Sequence, residues 1–202
     1  MKEKFAAKYN RVSEIIYDVA RCTESKLILV GGTALALFYL KHRTSVDLDF
    51  VPVNGDEEKH KMAVKGCLTK KGYRTSVARY TNQFVIQFDD TAIKLEVFYP
   101  QHKIEKIETF DINGTPLFVA SLDDLFKMKL EAYAGRKSVR DLFDIVFILK
   151  SKGGDYELVK VLISKYGLPQ DEEEIKNYIL AEKDYEFYKE VVKNASKASN
   201  HV

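Results

Sequence analysis

Two aspartates separated by one residue, Asp47 and Asp49, are the side chains of this sequence best suited to chemistry. In a β-strand the side chains at i and i+2 point to the same side, so both carboxylates would project from one sheet face. Val46, Leu48 and Phe50 would then lie on the opposite face. Two carboxylates held this close repel each other unless a cation lies between them. The pair therefore predicts a site for a divalent metal ion.

A glycine pair, Gly31-Gly32, follows an apolar run and precedes the aspartates by one short helix. Backbone N–H groups at the start of a helix are unpaired and favour an anion, and glycine allows a phosphate to approach closely. The pair is therefore a candidate phosphate-binding turn. Because a glycine pair is common in turns of no special function, a plain turn is the alternative.

Three further acidic residues could contribute to such a site. Glu96 lies inside a strongly apolar strand, where a charge needs a partner or a metal ion, so it could supply a third carboxylate. The alternative is that Glu96 alternates outward with Lys94 as an exposed pair. Asp141 and Asp144 are spaced to share one face of a later helix, where a solvated, ion-paired arrangement is the usual outcome.

The apolar periodicity predicts the elements that position these residues. Residues 3–22 form an amphipathic helix, Thr33 caps a helix over 34–40, and Asp56 caps a helix that ends near residue 71. Strands are expected at residues 26–30, 46–51, 73–80, 83–88, 92–99, 104–112 and 116–119, with turns at Asp89-Asp90 and Asn113-Gly114. Ser121 and Asp124 resemble a capping box, and helices continue to about residue 194.

The order of these elements predicts the α+β fold class, since strands are followed by a run of helices. Residues 1–120 would form a core with an N-terminal helix, a mixed β-sheet and flanking helices. Residues 121–202 would form a helical C-terminal part packed on that core, with a frayed tail from about residue 195.

The composition is that of an ordinary globular protein, with 46% hydrophobic and 31% charged residues. The net charge of +2 gives no argument for nucleic acid or an anionic membrane as partner. No apolar run approaches the roughly 18 residues of a membrane span, and the N-terminus lacks the apolar region of a secretory signal. Cys22 and Cys67 are far apart, outside any metal-type spacing, and are interpreted as reduced thiols of a cytoplasmic protein.

A local cluster of basic residues is the one feature of charge that could favour RNA. On or beside one helix it could meet a phosphate backbone, although a solvated helix face explains it equally simply. The cluster comprises Lys59, His60, Lys61, Lys65, Lys70, Lys71 and Arg74.

Taken together, the motifs resemble those of the AbiEii/AbiGii-type abortive-infection toxins, which are nucleotidyltransferases of the DNA polymerase β-like superfamily. The first motif is VGGTALAL at residues 30–37 followed by RTSVDLDF at residues 43–50. The later motif is KLEA at residues 129–132 followed by RKSVRDLFD at residues 136–144. The resemblance spans roughly residues 27–150.

The resemblance implies transfer of a nucleoside monophosphate from a nucleoside triphosphate to an acceptor hydroxyl on an RNA or tRNA end or on a protein. It implies the toxin component of a toxin–antitoxin system, with an antitoxin protein as partner, in the cytoplasm and without a membrane. One or two Mg²⁺ ions would be bound by Asp47, Asp49 and Glu96, where Glu96 replaces the aspartate usual in the superfamily. Lys129 would contact phosphate, and the catalytic set would be these four residues.

The nucleotide-binding set that the resemblance implies is larger. Asp141 and Asp144 match acidic helix positions that would orient Lys129 or the nucleotide. The full set is Gly31, Gly32, Thr33, Arg43, Ser45, Lys129, Asp141 and Asp144.

Two other classes of function remain open at this point. The fold could serve as a catalytically inactive module that binds a nucleotide or a partner, with Glu96 marking altered chemistry. A metallohydrolase is less well supported, because the four histidines, at positions 42, 60, 102 and 201, are scattered along the chain.

Overall fold

One mixed sheet of seven strands forms the centre of the molecule in the computed structural model, which describes residues 2–199 and the side chains of residues 10–197. The strand order is β3-β4-β5-β2-β1-β7-β6. Strand β1 pairs in parallel with β7, and β2 pairs in parallel with β5, whereas the other neighbours are antiparallel. The strands are β1 (Leu27–Val30), β2 (Asp47–Pro52), β3 (Arg74–Val77), β4 (Gln83–Gln87), β5 (Ala92–Val97), β6 (Ile107–Ile112) and β7 (Thr115–Ala120).

Seven α-helices accompany the sheet within residues 2–199, together with one π-helical and one 3₁₀ turn. They are α1 (Lys2–Thr23), α2 (Gly31–Ala34), α3 (Glu57–Lys70), α4 (Leu122–Arg136), α5 (Val139–Ser151), α6 (Glu157–Tyr166) and α7 (Glu182–Ser199). The mixed sheet with flanking helices confirms the α+β class predicted from the order of elements.

Helices α1 and α3 cover one face of the sheet. Val12 and Val19 of α1 and Leu68 of α3 belong to the same buried cluster as Leu48 and Phe50 of β2. Because side chains alternate along a strand, packing of Leu48 and Phe50 on this face sends the residues between them to the other face. The opposite face of β2 is therefore free to carry polar groups.

Several local signals in the sequence are confirmed by the backbone. The Asp56 side chain accepts a hydrogen bond from the Lys59 amide at 2.8 Å, and Ser121 accepts one from the Asp124 amide at 3.2 Å, so both cap helices. Asn113 and Gly114 have φ angles of 51° and 81° and join β6 to β7, as expected for a tight hairpin turn.

The start of the second helix differs from the prediction. The helix begins at Gly31, directly after β1, because Gly31 takes a φ of +73° and turns the chain at once. It continues through a π-helical turn, Leu35–Tyr39. Thr33 is therefore not an N-cap, and its hydroxyl instead donates a hydrogen bond to the carbonyl oxygen of Asp47. That bond connects α2 to the first residue of β2.

The cysteines also differ from the prediction. Cys22, at the end of α1, and Cys67, in α3, form a disulfide with their Cα atoms 5.6 Å apart. The interpretation as reduced thiols was wrong because separation along the chain does not limit contact between two helices that pack on the same sheet face.

Reduction of this disulfide is expected to lower the free energy of unfolding by about 2–4 kcal/mol, because the bridge closes a loop of 45 residues in the unfolded chain. Urea unfolding with and without dithiothreitol measures the difference. The Cys22→Ser/Cys67→Ser variant should match the reduced protein and should not respond to the reductant. Equal stability of the wild type in both conditions would show that the bridge does not constrain the chain.

The C-terminal helices enclose a second buried cluster. Tyr133 of α4, Phe143 of α5, Val159 of α6 and Tyr188 of α7 all belong to it. Helix α7 continues to Ser199, past the residue where a frayed tail was expected, and residues 200–202 lie outside the described part. No helix among residues 2–199 combines the length and the apolarity needed to span a bilayer.

Candidate active site

Strands β2 and β5 bring four charged residues together on one face of the sheet. Asp47 lies directly opposite Lys94, and Asp49 lies directly opposite Glu96, in a parallel register. All four side chains line the same cleft. Glu96 and Lys94 therefore project beside the aspartates into a shared site, which excludes the alternative of a separate exposed pair.

The cleft has a volume of about 610 Å³, within the range typical of sites for small molecules and cofactors. Its floor is the face of β2 and β5 opposite α1 and α3, and its walls come from the start of α2 and from α4. Both acidic and basic groups line it. The charged lining residues are Asp47, Asp49, Glu96, Glu131, Arg43, Lys94, Lys129, Arg136 and Arg140.

The glycine pair lies at the edge of the cleft, against the side chains expected to do chemistry. The Oδ2 atom of Asp49 is 2.7 Å from the position that a Cβ on Gly31 would occupy. A Cβ on Gly32 would meet the side chains of Arg43 and Ser45. Glycine is therefore required at both positions for space, and at Gly31 also for the positive φ.

Gly31→Ala is expected to destabilise the protein by at least about 1 kcal/mol, because alanine resists a positive φ and its Cβ would displace Asp49. Gly66→Ala is the matched control, since Gly66 lies inside α3 with no atom within 4 Å of the added carbon. That change should stabilise by about 0.5–1 kcal/mol. Urea unfolding measures both, and equal effects of the two substitutions would contradict this account of Gly31.

The carboxyl group of Asp49 has a shifted pKa. Burial of its carboxyl group raises its pKa to about 6, and the neighbouring negative charges of Asp47 and Glu96 act in the same direction. Lys94 and Lys129 oppose the shift. A carboxyl group that resists ionisation in this way is one that a bound cation would stabilise.

Asp49→Asn is expected to stabilise the metal-free protein at pH 7, where the wild-type carboxylate is charged and poorly solvated. The pKa of Asp49 is higher in the folded protein than in the unfolded chain, where it is about 4, so protonation below pH 6 stabilises the folded wild type. The difference in the free energy of unfolding between Asp49→Asn and the wild type should therefore shrink between pH 7 and pH 5. Urea unfolding of both proteins with EDTA measures this difference. A difference that stays constant over this range would contradict the raised pKa.

Glu96 is held by several donors on its own side of the cleft. Its Oε1 accepts a hydrogen bond from Asn82 at 2.8 Å, and its Oε2 accepts one from Gln83 at 2.9 Å. The ammonium of Lys94 lies 3.3 Å from Oε2 and 3.8 Å from Oδ2 of Asp47. Both oxygens of Glu96 thus accept hydrogen bonds from protein groups, although each carboxylate oxygen can accept two.

The donor chemistry of the aspartate pair fits a hard divalent cation, since Mg²⁺ takes carboxylate and phosphate oxygens. Within residues 2–199, no three His, Cys, Asp or Glu side chains are grouped so that they could hold a metal ion by themselves. Asp47 and Asp49 could therefore hold Mg²⁺ only when oxygens from outside the protein, of water or of a phosphate bound in the cleft, complete its coordination.

Lys129 of α4 is held at the cleft by the two acidic residues of α5. Its ammonium lies 2.8 Å from Oδ1 of Asp141 and 2.8 Å from Oδ2 of Asp144. Both aspartates are completely buried, so the solvated helix pair considered from the sequence is wrong. Neither carboxylate lines the cleft, and their position is suited to orienting Lys129 rather than touching a ligand.

Asp144 also fixes the loop that precedes β2. Arg43 donates from Nε and Nη2 to its two oxygens, each at 2.6 Å, and His42 contacts Oδ1 at 2.7 Å. Burial alone would raise the pKa of Asp144, but Arg43, Lys129 and the bond from His42 hold it well below its ordinary value. The carboxylate thus stays charged and joins the N-terminal loop to the C-terminal helices.

The remaining nucleotide-binding predictions divide into two groups. Arg43 and Ser45 line the cleft, together with both glycines and Lys129. Thr33 is buried beneath the helix start and does not belong to the lining residues.

Four charged or polar residues of the site had no role assigned from the sequence. Lys94 lies opposite Asp47, and His42 lies behind Asp144, packed on the ring of Phe143. Arg136 donates to Asp141 at 2.6 Å from Nε, and Arg140 lies over the ring of Tyr178. The alternation of Lys94 with Glu96 was the available signal for Lys94, whereas His42 carries no local pattern.

The basic cluster on and beside α3 lies away from the cleft. Helix α3 packs on the opposite face of the sheet, and no member of the cluster is among the described residues that line the cleft. Several members are paired, including Lys71 with Asp18 at 2.8 Å and Arg74 with Asp89 at 2.6 Å. The cluster therefore gives no support to RNA binding at this site.

Comparison with known proteins identifies the family of the chain. Residues 18–191 match the family described as nucleotidyl transferase AbiEii toxin, type IV toxin–antitoxin system. No curated protein shows significant similarity to the chain.

Two solved structures from Helicobacter pylori share the fold. JHP933 is 19% identical, with a TM-score of 0.55 and coverage of 95% of each chain. A candidate nucleotidyltransferase is 18% identical, with a TM-score of 0.56 and coverage of 94% of this chain and 97% of the other. At this identity the structures establish the fold, and the family match over most of the chain establishes the class. The chain belongs to the AbiEii family of nucleotidyltransferase toxins.

Proposed function

We propose that this protein transfers a nucleoside monophosphate from a nucleoside triphosphate to an acceptor hydroxyl, with Mg²⁺ as cofactor, in the cleft above β2 and β5. The observation that carries the proposal is the convergence of three features in that cleft. These are the aspartate pair, the glycine turn at the start of α2, and the buried lysine of α4.

The triphosphate would bind between the glycine turn and α4. Gly31 and Gly32 both line this space, and glycine allows a phosphate to approach the backbone closely. Lys129 faces the same space from the opposite wall, and Arg43 and Arg136 add positive charge beside it. Asp141 and Asp144 would act on the nucleotide indirectly, because they hold Lys129, Arg43 and Arg136 in place.

Asp47 and Asp49 would hold Mg²⁺ together with phosphate oxygens of the nucleotide. When bound, the ion would neutralise the phosphate charge and favour displacement at phosphorus. Asp49, whose pKa is raised to about 6, would gain most from the ion, since its carboxylate is the less well solvated of the pair.

In the transfer step, the acceptor oxygen forms a bond to the α-phosphorus while the bond from that phosphorus to the β-phosphate oxygen breaks. Pyrophosphate leaves with the electron pair of the broken bond. Lys129 would stabilise the charge that develops on the triphosphate, as preorganised cations do in phosphoryl transfer. Glu96 would accept the proton of the acceptor hydroxyl at Oε1, where Asn82 donates to one of the two acceptor positions of that oxygen.

The acceptor is proposed to be a hydroxyl at an RNA end, such as that of a tRNA, or on a protein side chain. The family is that of a type IV toxin–antitoxin system, so we propose that transfer to this acceptor is toxic and that an antitoxin protein is the partner. Because the reaction consumes nucleoside triphosphates, we expect it in the cytoplasm.

A transfer assay with Mg²⁺ and each of the four α-labelled nucleoside triphosphates tests the proposal. Total RNA and lysate protein serve as acceptors, and the labelled product is digested with ribonuclease or with protease to identify its class. The expected result is a labelled macromolecule that forms with Mg²⁺ and does not form when EDTA is present during the reaction. Binding of Mg²⁺-nucleotide without transfer to either acceptor would instead favour a noncatalytic binding module.

A further inference from the structure

Lys94 is a basic residue among the carboxylates of Asp47, Asp49 and Glu96, of which the proposed reaction assigns the two aspartates to metal binding. It lies directly opposite Asp47 across the parallel pair of β2 and β5. Its ammonium is 3.8 Å from Asp47 Oδ2 and 3.3 Å from Glu96 Oε2, and its side chain is only 34% exposed. The two acids thus hold the ammonium of a flexible side chain within the cleft.

The partners of Glu96 keep Lys94 in this position. Asn82 and Gln83 donate to the two oxygens of Glu96, so the carboxylate faces the lysine in a fixed orientation. Ligation of a metal ion by Glu96 would require it to exchange amide donors and an ammonium for the ion. Glu96 is therefore better placed to hold Lys94 than to bind metal.

The charges of this group limit how many cations it can accept. Asp47, Asp49 and Glu96 are three carboxylates, and Lys94 is one ammonium, so the group has a formal charge of −2. One divalent cation balances that charge, whereas a second would be repelled by the lysine at short range.

We infer that Lys94 takes the place of one of two divalent cations, so that the chain itself binds a single ion, at Asp47 and Asp49. Lys94 then supplies the positive charge beside Asp47 and Glu96, the side of the cleft assigned to the acceptor. The inference rests on the proposed function, because it takes the aspartate pair to be a metal site. Lys94 would act there as a positive charge that the fold holds beside Asp47 and Glu96.

Counting bound Mn²⁺ without nucleotide tests the inference. The electron paramagnetic resonance signal of free Mn²⁺ is titrated with the protein, and the number of ions bound per chain is read from saturation. We expect one ion for the wild type and for Lys94→Arg, which keeps the charge. Lys94→Met should bind two, because it frees Asp47 and Glu96 for a second ion.

Lys70→Met is the matched control. It removes the same charge from an exposed position on α3, on the other face of the sheet, and should still bind one ion. Circular dichroism confirms that each variant is folded. One ion for both the wild type and Lys94→Met, or two ions for the wild type, would overturn the role of Lys94.

Failure of the proposed metal site gives a different result. Asp47→Asn should lose the single ion, with no Mn²⁺ bound at concentrations that saturate the wild type. If the wild type bound no Mn²⁺, or bound it as well after Asp47→Asn, the aspartate pair would not be a metal site. That outcome would remove both the metal assignment and the inference that depends on it.

Discussion

Substitution of Asn for either Asp47 or Asp49 is expected to lower the rate of nucleotide transfer by about 10³-fold or more, equivalent to about 4 kcal/mol of transition-state stabilisation. An amide keeps the shape of the side chain but removes the negative charge that holds the cation. The double variant should be little worse than either single variant, because both residues serve one ion and groups that act as a unit are not additive. Initial rates of label transfer measure these effects.

The control for this prediction is Asp89→Asn, which removes one carboxylate from the exposed turn between β4 and β5. Its side chain is 98% exposed, so transfer should be unchanged. Loss of activity in Asp49→Asn could not be attributed to unfolding, since that variant is expected to be more stable than the wild type at pH 7 without metal. Transfer within a few-fold of the wild type in either aspartate variant would show that the pair is not essential.

Asp144→Ala is expected to lower the free energy of unfolding by about 3–5 kcal/mol, because it leaves the buried Arg43 without its anion and removes one of the two carboxylates that hold Lys129. Arg43 and Lys129 both bind this carboxylate, and the arginine is 3% exposed. The variant should also lose transfer activity, since the side chains at the cleft would no longer be held. Urea unfolding and the transfer assay measure the two effects separately.

The matched control is Asp123→Ala, at the exposed start of α4. Its carboxylate is paired with Lys152 at the surface, where an ion pair contributes little, so stability should hardly change. Equal, small effects of both substitutions would mean that the buried network does not join the loop before β2 to the C-terminal helices.

The pH dependence of Asp144 follows from the direction of its pKa shift. Because its pKa lies well below that of an unfolded carboxyl, its contribution to stability is fully present above about pH 4 and is lost as the pH falls further. Asp49 behaves in the opposite way, because its pKa is raised and its charged form lowers the stability of the metal-free folded protein above pH 6. Measurements between pH 5 and 7 therefore report on Asp49 and not on Asp144.

The fold was largely accessible from the sequence because its signals are local. Asp56 and Ser121 mark helix starts, Asn113-Gly114 marks a hairpin, and the alternation around Asp47 and Asp49 fixes their face. Each of these signals depends on the conformation of a few neighbouring residues.

The features that were missed depend on contacts between distant parts of the chain. The disulfide requires α1 and α3 to pack on one sheet face, and the pairing of Asp144 with Arg43 joins residues 101 apart. The same is true of His42, which has no sequence pattern of its own but contacts Asp144 in the fold. Thr33 was misplaced because the positive φ of Gly31 starts the helix earlier than the polar residue suggested.

The site itself was only partly predictable for a related reason. Alternation along β5 placed Lys94 and Glu96 on one face, but only the parallel register with β2 shows that this face carries the aspartates. The burial of Asp141 and Asp144 likewise depends on α4, whose lysine neutralises them. Helical spacing alone made them appear as ordinary surface charges.

The most direct test of the account compares transfer of label from α-labelled and γ-labelled nucleoside triphosphate under identical conditions with Mg²⁺. Attack at the α-phosphorus predicts that the acceptor is labelled by the α-labelled nucleotide alone, while the γ-label is released as pyrophosphate. Label transferred to the acceptor from the γ-position would indicate phosphoryl rather than nucleotidyl transfer. That result would contradict the chemistry assigned to the cleft.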